Sequence, residues 1–462
     1  MADQTSIVEY YAEHEGYKCG YCGQSNSNYS HGMWAHTMTV HDYQDLIDRG
    51  WRRSGQYVYK PTMDRTCCPH YTIRCEVLNF KPNKSHKKLL KKNNNYFNFG
   101  TSKDAAARNN AKEDEVDGAM ASKIDGPSNC GEERLEMSVS KKSKSTFNPG
   151  VGADSSKPQC RKAKLVRQEL KKKKISTETS KEFVAKKEII GEKSLEDFLA
   201  EIIDNPAHKL EIKLVPSSMK DRRFLATFHE SHAVFKKYQM NVHNESESDC
   251  DLHAYINFLV TSPLQPFYKN EGGVESGYGS FHQQYWLDGK LIIVGVIDIL
   301  PKCISSVYLF YDPDQAFLSP GTFSALRELA FTRALNKQDP ELIYYYLGFY
   351  IHSCPKMTYK GQYVPSYLLC PEVYTWHPIE ECKPLLHINK YSRFEKPGKE
   401  DPNGSIDVDK VMVLYERQMM PYSVYKALKF KGTAVRDKME VKQYASLVGK
   451  TCSQKILLYR SS

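Results

Sequence analysis

The sequence predicts an α+β fold. Two long apolar runs joined by Asp288-Gly289 read as a β-hairpin, a β-α-β order follows them, and cysteines sit between short strand-like runs near the N-terminus. The chain has 462 residues, 40% hydrophobic and 12% aromatic with 31 Tyr, ample material for a core. Its net charge of +10 is uneven: Lys81–Lys193 holds 27 Lys/Arg and 15 Asp/Glu, so the rest is near neutral. A basic surface on the folded body must then be a local patch.

The first residues lack an apolar signal core. The longest apolar run, Leu291–Leu300, contains Asp298 and falls well short of the roughly 18 residues a span requires. Thirteen Cys, odd in number and clustered, point to a reducing compartment. A secreted disulfide scaffold and a membrane protein are excluded on these grounds.

Three segments are expected. Residues 1–81 form a Cys-rich domain. In it Thr39–Asp42 resembles a capping box, Tyr43, Leu46 and Ile47 follow at helical spacing, and Gly50 stops the helix. Tyr57–Tyr59 and Tyr71–Ile73 read as strands. Residues 82–193 read as a basic, largely disordered linker, too poor in core residues to offset its ordering entropy. Its block Arg161–Lys174 suits a nuclear address, a nucleic-acid contact or plain solvation.

Residues 194–462 form the third domain. Ser194 caps a helix with Leu195, Phe198, Leu199, Ile202 and Ile203 on one face. Glu211–Val215 reads as a strand, Phe224–Tyr238 as a helix and His253–Val260 as another strand. The hairpin Ser280–Leu300 follows, then strand Ile304–Tyr311, a helix opened by Ser319-Pro320, and strand Ile343–Ile351. This order is the core of the GNAT acyltransferase fold. The loop that would hold the pyrophosphate of CoA reads DPDQAFLSPGTFS, without the glycine pair that lets backbone N–H groups reach a phosphate.

Two constellations carry chemistry. Cys19 and Cys22, in a CxxC knuckle, pair with Cys67 and Cys68 as ligands for zinc or an iron–sulfur cluster. Because neighbouring side chains diverge, His70 is an alternative ligand to one of the adjacent cysteines. The second is the exit of the last strand, where Lys356 and Lys360 flank Tyr359, a cationic, aromatic mouth or simply an exposed loop.

CGYC, GWRRSG (50–55), CCPHYTIR (67–74), SFHQQYWLDGKLIIVGVIDILP (280–301), SSVYLFYDPD (305–314) and YYYLGFYIHSCPKMTYKGQY (344–363) together resemble the eukaryotic arginyl-tRNA–protein transferases. The resemblance implies an enzyme that moves arginine from Arg-tRNA to the α-amine of proteins beginning with Asp, Glu or oxidised Cys, creating a degradation signal for ubiquitin ligases. It further implies a Cys site tied to redox or haem sensing, and a cytoplasmic and nuclear location. The donor is an activated ester, so neither ATP nor CoA is required.

Within that reading, Arg53, Arg74, Lys356 and Lys360 are candidates to grip the acceptor's acid. Tyr350, Tyr359, His282 and Asp298 are candidates to orient the amine or the arginyl group, although Asp298 and His282 also suit ordinary strand residues. Arg52, Lys60, Lys426, Lys429 and Lys431 are candidates for tRNA phosphates, or ordinary surface charges. Two other classes fit the residues alone: a metal-sensing RNA-binding adaptor with a vestigial core, and an N-acetyltransferase with an atypical donor site.

Overall fold

The computed structural model describes residues 5–13, 16–100, 193–428 and 434–461. They form a mixed α/β structure on two sheets. The first sheet runs β14 (Gln418–Pro421), β13 (Met412–Tyr415), β15 (Leu457–Arg460), β1 (Ile7–Glu13), β2 (Ser30–Thr37), β4 (Tyr57–Pro61), β3 (Arg52–Ser54). The second runs β12 (Trp376–Pro378), β11 (Ser366–Leu369), β5 (Tyr71–Glu76), β10 (Tyr344–Tyr350), β9 (Cys303–Tyr311), β8 (Lys290–Leu300), β7 (Gly279–Leu287), β6 (Leu210–Pro216).

The expected boundary at residue 81 does not separate the sheets. Strand β5, from the Cys-rich segment, lies between β10 and β11, and β15, from the C-terminal end, pairs in parallel with β1. Both ends of the chain therefore share each sheet, and one core runs through them.

The hairpin forms as its sequence requires. Asp288 and Gly289 take φ of 51° and 80°, the left-handed pair that a two-residue turn needs, and Leu287 faces Lys290. Helix α1 (Val40–Ile47) starts at Thr39, whose hydroxyl accepts from the Asp42 N–H; the Asp42 carboxylate takes the Ser6 hydroxyl instead of closing the box.

Two expectations fail for physical reasons. Lys84–Phe99, expected in the disordered linker, is helix α2, with an Asn83–His86 capping box and Leu90 and Phe97 fully buried. Its Asn93, Asn94 and Asn98 amides donate to the Leu318, Phe198 and Glu201 carbonyls at 3.0, 2.7 and 2.8 Å, so polar residues serve here as core. Residues 101–192 of that segment lie outside the described residues. Residues 253–260 are helical, not a strand: Asp251 caps Ala254 N at 2.7 Å, and Tyr255, Leu259 and Val260 share a buried face. The helix from Ser194 also ends early, at Leu199.

Helices α3 (Phe228–Tyr238) and α4 (Pro320–Asn336) pack against the second sheet, α4 on β9 and β10. Strands β9 and β10 are parallel and pair only over Cys303–Ser305 against Tyr344–Tyr346. Past that point Gly348 turns to φ 78°, the register of β10 on β5 slips, and the strands leave room between them.

Candidate functional site

A cavity of about 450 Å³ opens where β9 and β10 stop pairing. Ser305–Leu309 line one side, Tyr345 and Leu347–Phe349 the other, and Gly321, Ser324 and Ala325 near the start of α4 the end. Tyr43, Arg52, Arg53 and Tyr59 enter from the N-terminal segment, Tyr238 and His243 from the end of α3 and beyond, and Met357, Tyr359 and Lys360 from the exit of β10.

Two cations dominate its polarity. Arg52 is buried, and its Nη1 donates to the Ile47 and Trp51 carbonyls, whereas Nε and Nη2 have no partner. Its guanidinium lies 5.4 Å from the Phe349 ring centre and 5.6 Å from that of Tyr346. Burial pulls its pKa down, yet a guanidinium stays charged. Lys360 turns its Nζ inward to the Phe349 carbonyl at 3.0 Å. Burial, then the neighbouring Arg52, brings its pKa down to about 7. Among the described residues neither cation is in an ion pair, and no carboxylate lines the cavity.

Arg53 also lines the cavity, but its charge is already spent. Its Nε and Nη2 meet Asp298 Oδ2 and Oδ1 at 2.7 and 2.5 Å, and Ser280 bonds both partners. The two candidates with different expected tasks thus bind each other. His282 is fully buried, with Nε2 on the Leu259 carbonyl at 2.9 Å; burial takes its pKa down to about 4 and it does not line the cavity. Nor does Tyr350, whose hydroxyl meets His352 Nδ1 at 2.7 Å. Arg74 is sandwiched between the Tyr344 and Trp376 rings at 3.7 and 3.9 Å, away from the cavity. Lys356 is exposed outside it, and Tyr359 is part of its wall.

The tRNA candidates scatter. Arg52 is in the cavity, and Lys60 is buried, donating to the Tyr374 hydroxyl at 2.7 Å; neither is a surface charge. Lys426 is exposed and paired with Asp409 at 2.6 Å. Lys429 and Lys431 lie outside the described residues.

The cysteine cluster shares a wall with the cavity. Cys19 and Cys22 sit in the β1–β2 loop, Cys67 and Cys68 in the β4–β5 loop, and the four Sγ atoms lie within 4.8 Å of one another. The Tyr21 and Cys67 sulfur contacts are those of a knuckle: Tyr21 N–H points to Cys19 Sγ at 3.4 Å, and the Ser27 hydroxyl to Cys67 Sγ at 3.1 Å. Adjacent Cys67 and Cys68 both join the group. His70 stands apart, buried, edge-on to Tyr21 and Phe349, with Nδ1 unpartnered and a pKa taken by burial down to about 4. Tyr21, inside the CxxC, lines the cavity, and Cys354 and Met357 pack against Cys19 and Cys68.

Sequence reasoning missed Tyr43, Tyr59, Tyr308, Tyr345 and Glu328. The last carried a signal: a Glu on the buried face of α4, between Ser324 and Thr332, is costly unless something holds it.

Comparison with known proteins agrees with this arrangement. Residues 17–88 match the family model "Arginine-tRNA-protein transferase, N terminus" and residues 230–370 match "Arginine-tRNA-protein transferase, C terminus". Arginyl-tRNA--protein transferase 1 of Drosophila melanogaster is 40% identical over 98% of this chain and 99% of its own. Arginyl-tRNA--protein transferase 2 of Arabidopsis thaliana is 34% identical over 81% of this chain and 75% of its own. An aspartate/glutamate leucyltransferase of Campylobacter jejuni is 40% identical over 29% of this chain and 49% of its own. The two matched regions contain the four cysteines, Arg52 and Lys360, and with identity sustained over nearly its whole length the chain belongs to the arginine-tRNA-protein transferase family.

Proposed function

We infer that this chain transfers arginine from arginyl-tRNA to the N-terminal α-amine of proteins whose first residue is acidic. The observation that carries the acceptor rule is the pairing of Arg52 and Lys360 in one cavity, both cationic and neither matched by a carboxylate among the described residues. A buried, incompletely bonded guanidinium is stabilised by an incoming carboxylate through charge-assisted hydrogen bonds. Asp, Glu and the acids of oxidised Cys all supply one. The relatives' names supply the rest of the reading: arginyl-tRNA as donor, and aspartate and glutamate beside an aminoacyl group.

The arginyl ester is already activated, so the reaction needs placement of an amine near its carbonyl rather than ATP or a covalent enzyme intermediate. Parallel strands that part beyond three paired residues, with a helix N-terminus closing the gap, support a GNAT-type acyltransferase core. The ring faces of Tyr43, Tyr59, Tyr308 and Tyr359 suit the guanidinium of the transferred arginine. Cys19, Cys22, Cys67 and Cys68 fit a tetrahedral zinc ion or an iron–sulfur cluster. Such a group would fix the two loops beside Tyr21, and an iron–sulfur cluster would add redox sensitivity. In this reading the product's new N-terminal arginine is a degradation signal.

The test is transfer of labelled arginine from charged tRNA to peptides differing only in an N-terminal Asp, Glu, Asn or Ala. Incorporation into Asp and Glu peptides with free termini is expected. Equal incorporation into all four, or none into any, would overturn the reading.

A further inference from the structure

The reaction releases a proton from the attacking amine. Arg52 and Arg53 are cations, Lys360 is charged below a pH of about 7, Asp298 is held by Arg53, and His243 packs edge-on against Tyr238. One buried carboxylate lies behind the cavity wall. Glu328 of α4 is 1% exposed, and its Oε2 accepts the Tyr345 hydroxyl at 2.6 Å. The Ser306 hydroxyl lies beside the same carboxyl and favours its charged form, and Ser306 and Tyr345 both line the cavity. The carboxyl also presses on β8 at Gly295, where a Cβ would stand 2.8 Å from Oε1. Gly295 sits in the apolar stretch 291–297, where the missing Cβ makes room for this acid.

We propose that Glu328 is the proton acceptor of the transfer, acting through Ser306 and Tyr345; the proposal rests on the arginyl-transfer reading above. As the amine nitrogen bonds to the arginyl carbonyl carbon, it passes one proton to the Ser306 hydroxyl, which gives its own to the Glu328 carboxylate. As the carbon–oxygen bond to the ribose breaks, the same path returns a proton to the departing oxygen. One amine proton is lost, one ribose hydroxyl is formed, and the site ends as it began. Glu328 never touches substrate, so its role is that of a positioning residue and proton store.

Its surroundings suit a group that changes charge near neutrality. Burial raises its carboxyl to about 7, against the hydroxyls of Tyr345 and Ser306. The titratable groups facing it are Tyr285 of β7, Tyr345 of β10, and Tyr359 and Tyr363 beyond β10, all of them neutral phenols at this pH. Arg327, next to it on α4, stacks at 5.3 Å on Phe323 and acts on Tyr285. Among the described residues no ion pair holds Glu328 ionised.

The experiment is the pH dependence of kcat for the wild type, Glu328→Gln, Ser306→Ala and Tyr345→Phe, with an infrared titration of the carboxyl band on the same proteins. The wild type should gain activity as pH rises through about 7. Glu328→Gln should lose about 10²-fold or more in kcat and that limb of the profile, with KM for charged tRNA unchanged. Ser306→Ala should weaken the same limb while the carboxyl band persists. A folded Glu328→Gln with wild-type kcat and profile overturns the proposal. If that variant fails to fold, an unaltered profile in both Ser306→Ala and Tyr345→Phe does so. A wild type that transfers nothing overturns the transfer reading instead, and an infrared band titrating in the ordinary carboxylic range overturns the proton store regardless of activity.

Discussion

Arg53 and Asp298, 245 residues apart, form a two-point ion pair in which both side chains are almost wholly shielded from water. Desolvating two charges is repaid only while both are present. The pair ties β3 of the first sheet to β8 of the second, beside the cavity. Asp298→Asn is expected to destabilise by about 3–5 kcal/mol, because it strands the Arg53 charge. Arg53→Met with Asp298→Leu should regain much of that. Denaturation midpoints of the three proteins check it, and a single variant as stable as the wild type would refute it.

Metal content should follow the cysteines alone. Serine at Cys19, Cys22, Cys67 or Cys68 should abolish or strongly reduce bound zinc or iron, while His70→Ala should retain it, since His70 packs on Tyr21 and Phe349 outside the sulfur group. Elemental analysis of protein purified without oxygen reads both results.

Acceptor binding should weaken as pH rises past neutrality. Lys360 has its pKa brought down to about 7, so it is charged below that pH and neutral above it. A peptide ending in a succinyl group keeps the side-chain acid of Asp but has no amine to titrate. Its inhibition constant should rise above pH of about 7 for the wild type and stay flat for Lys360→Met. A flat wild-type profile would remove Lys360 from the acid site.

Lys60 should matter to stability and not to tRNA. It is buried against Tyr374 and is not a surface charge. The slope of log affinity for tRNA against log salt should be unchanged in Lys60→Met, since only released counterions set that slope. A shallower slope would place Lys60 at the tRNA.

The hairpin, the β9–α4–β10 unit and the four-cysteine group were legible because each rests on local chemistry: a turn pair needing positive φ, an apolar period, a CxxC spacing. The mixing of the two sheets was not, because β5 and β15 find partners hundreds of residues away and nothing local encodes that choice. Helix α2 was missed since asparagines share its buried face with Leu90 and Phe97, and composition counts asparagine as solvent-seeking. The site was half legible. Lys360 and Tyr359 follow from the end of β10. Arg52 and Arg53 are adjacent on β3 and both line the cavity, yet Asp298 pairs with Arg53 and leaves Arg52 without a carboxylate, a division set by tertiary packing.

The central claim is that Arg52 and Lys360 read the acceptor's acid. It is tested most directly by the ratio of kcat/KM for peptides beginning with Asp and with Asn, in the wild type, Arg52→Met and Lys360→Met. A charge-assisted contact of about 1.5–3 kcal/mol corresponds to roughly 10- to 100-fold. Each substitution should therefore cut the Asp:Asn ratio by about that factor, by slowing transfer to Asp and sparing transfer to Asn. Folded variants that retain the wild-type ratio would contradict the account.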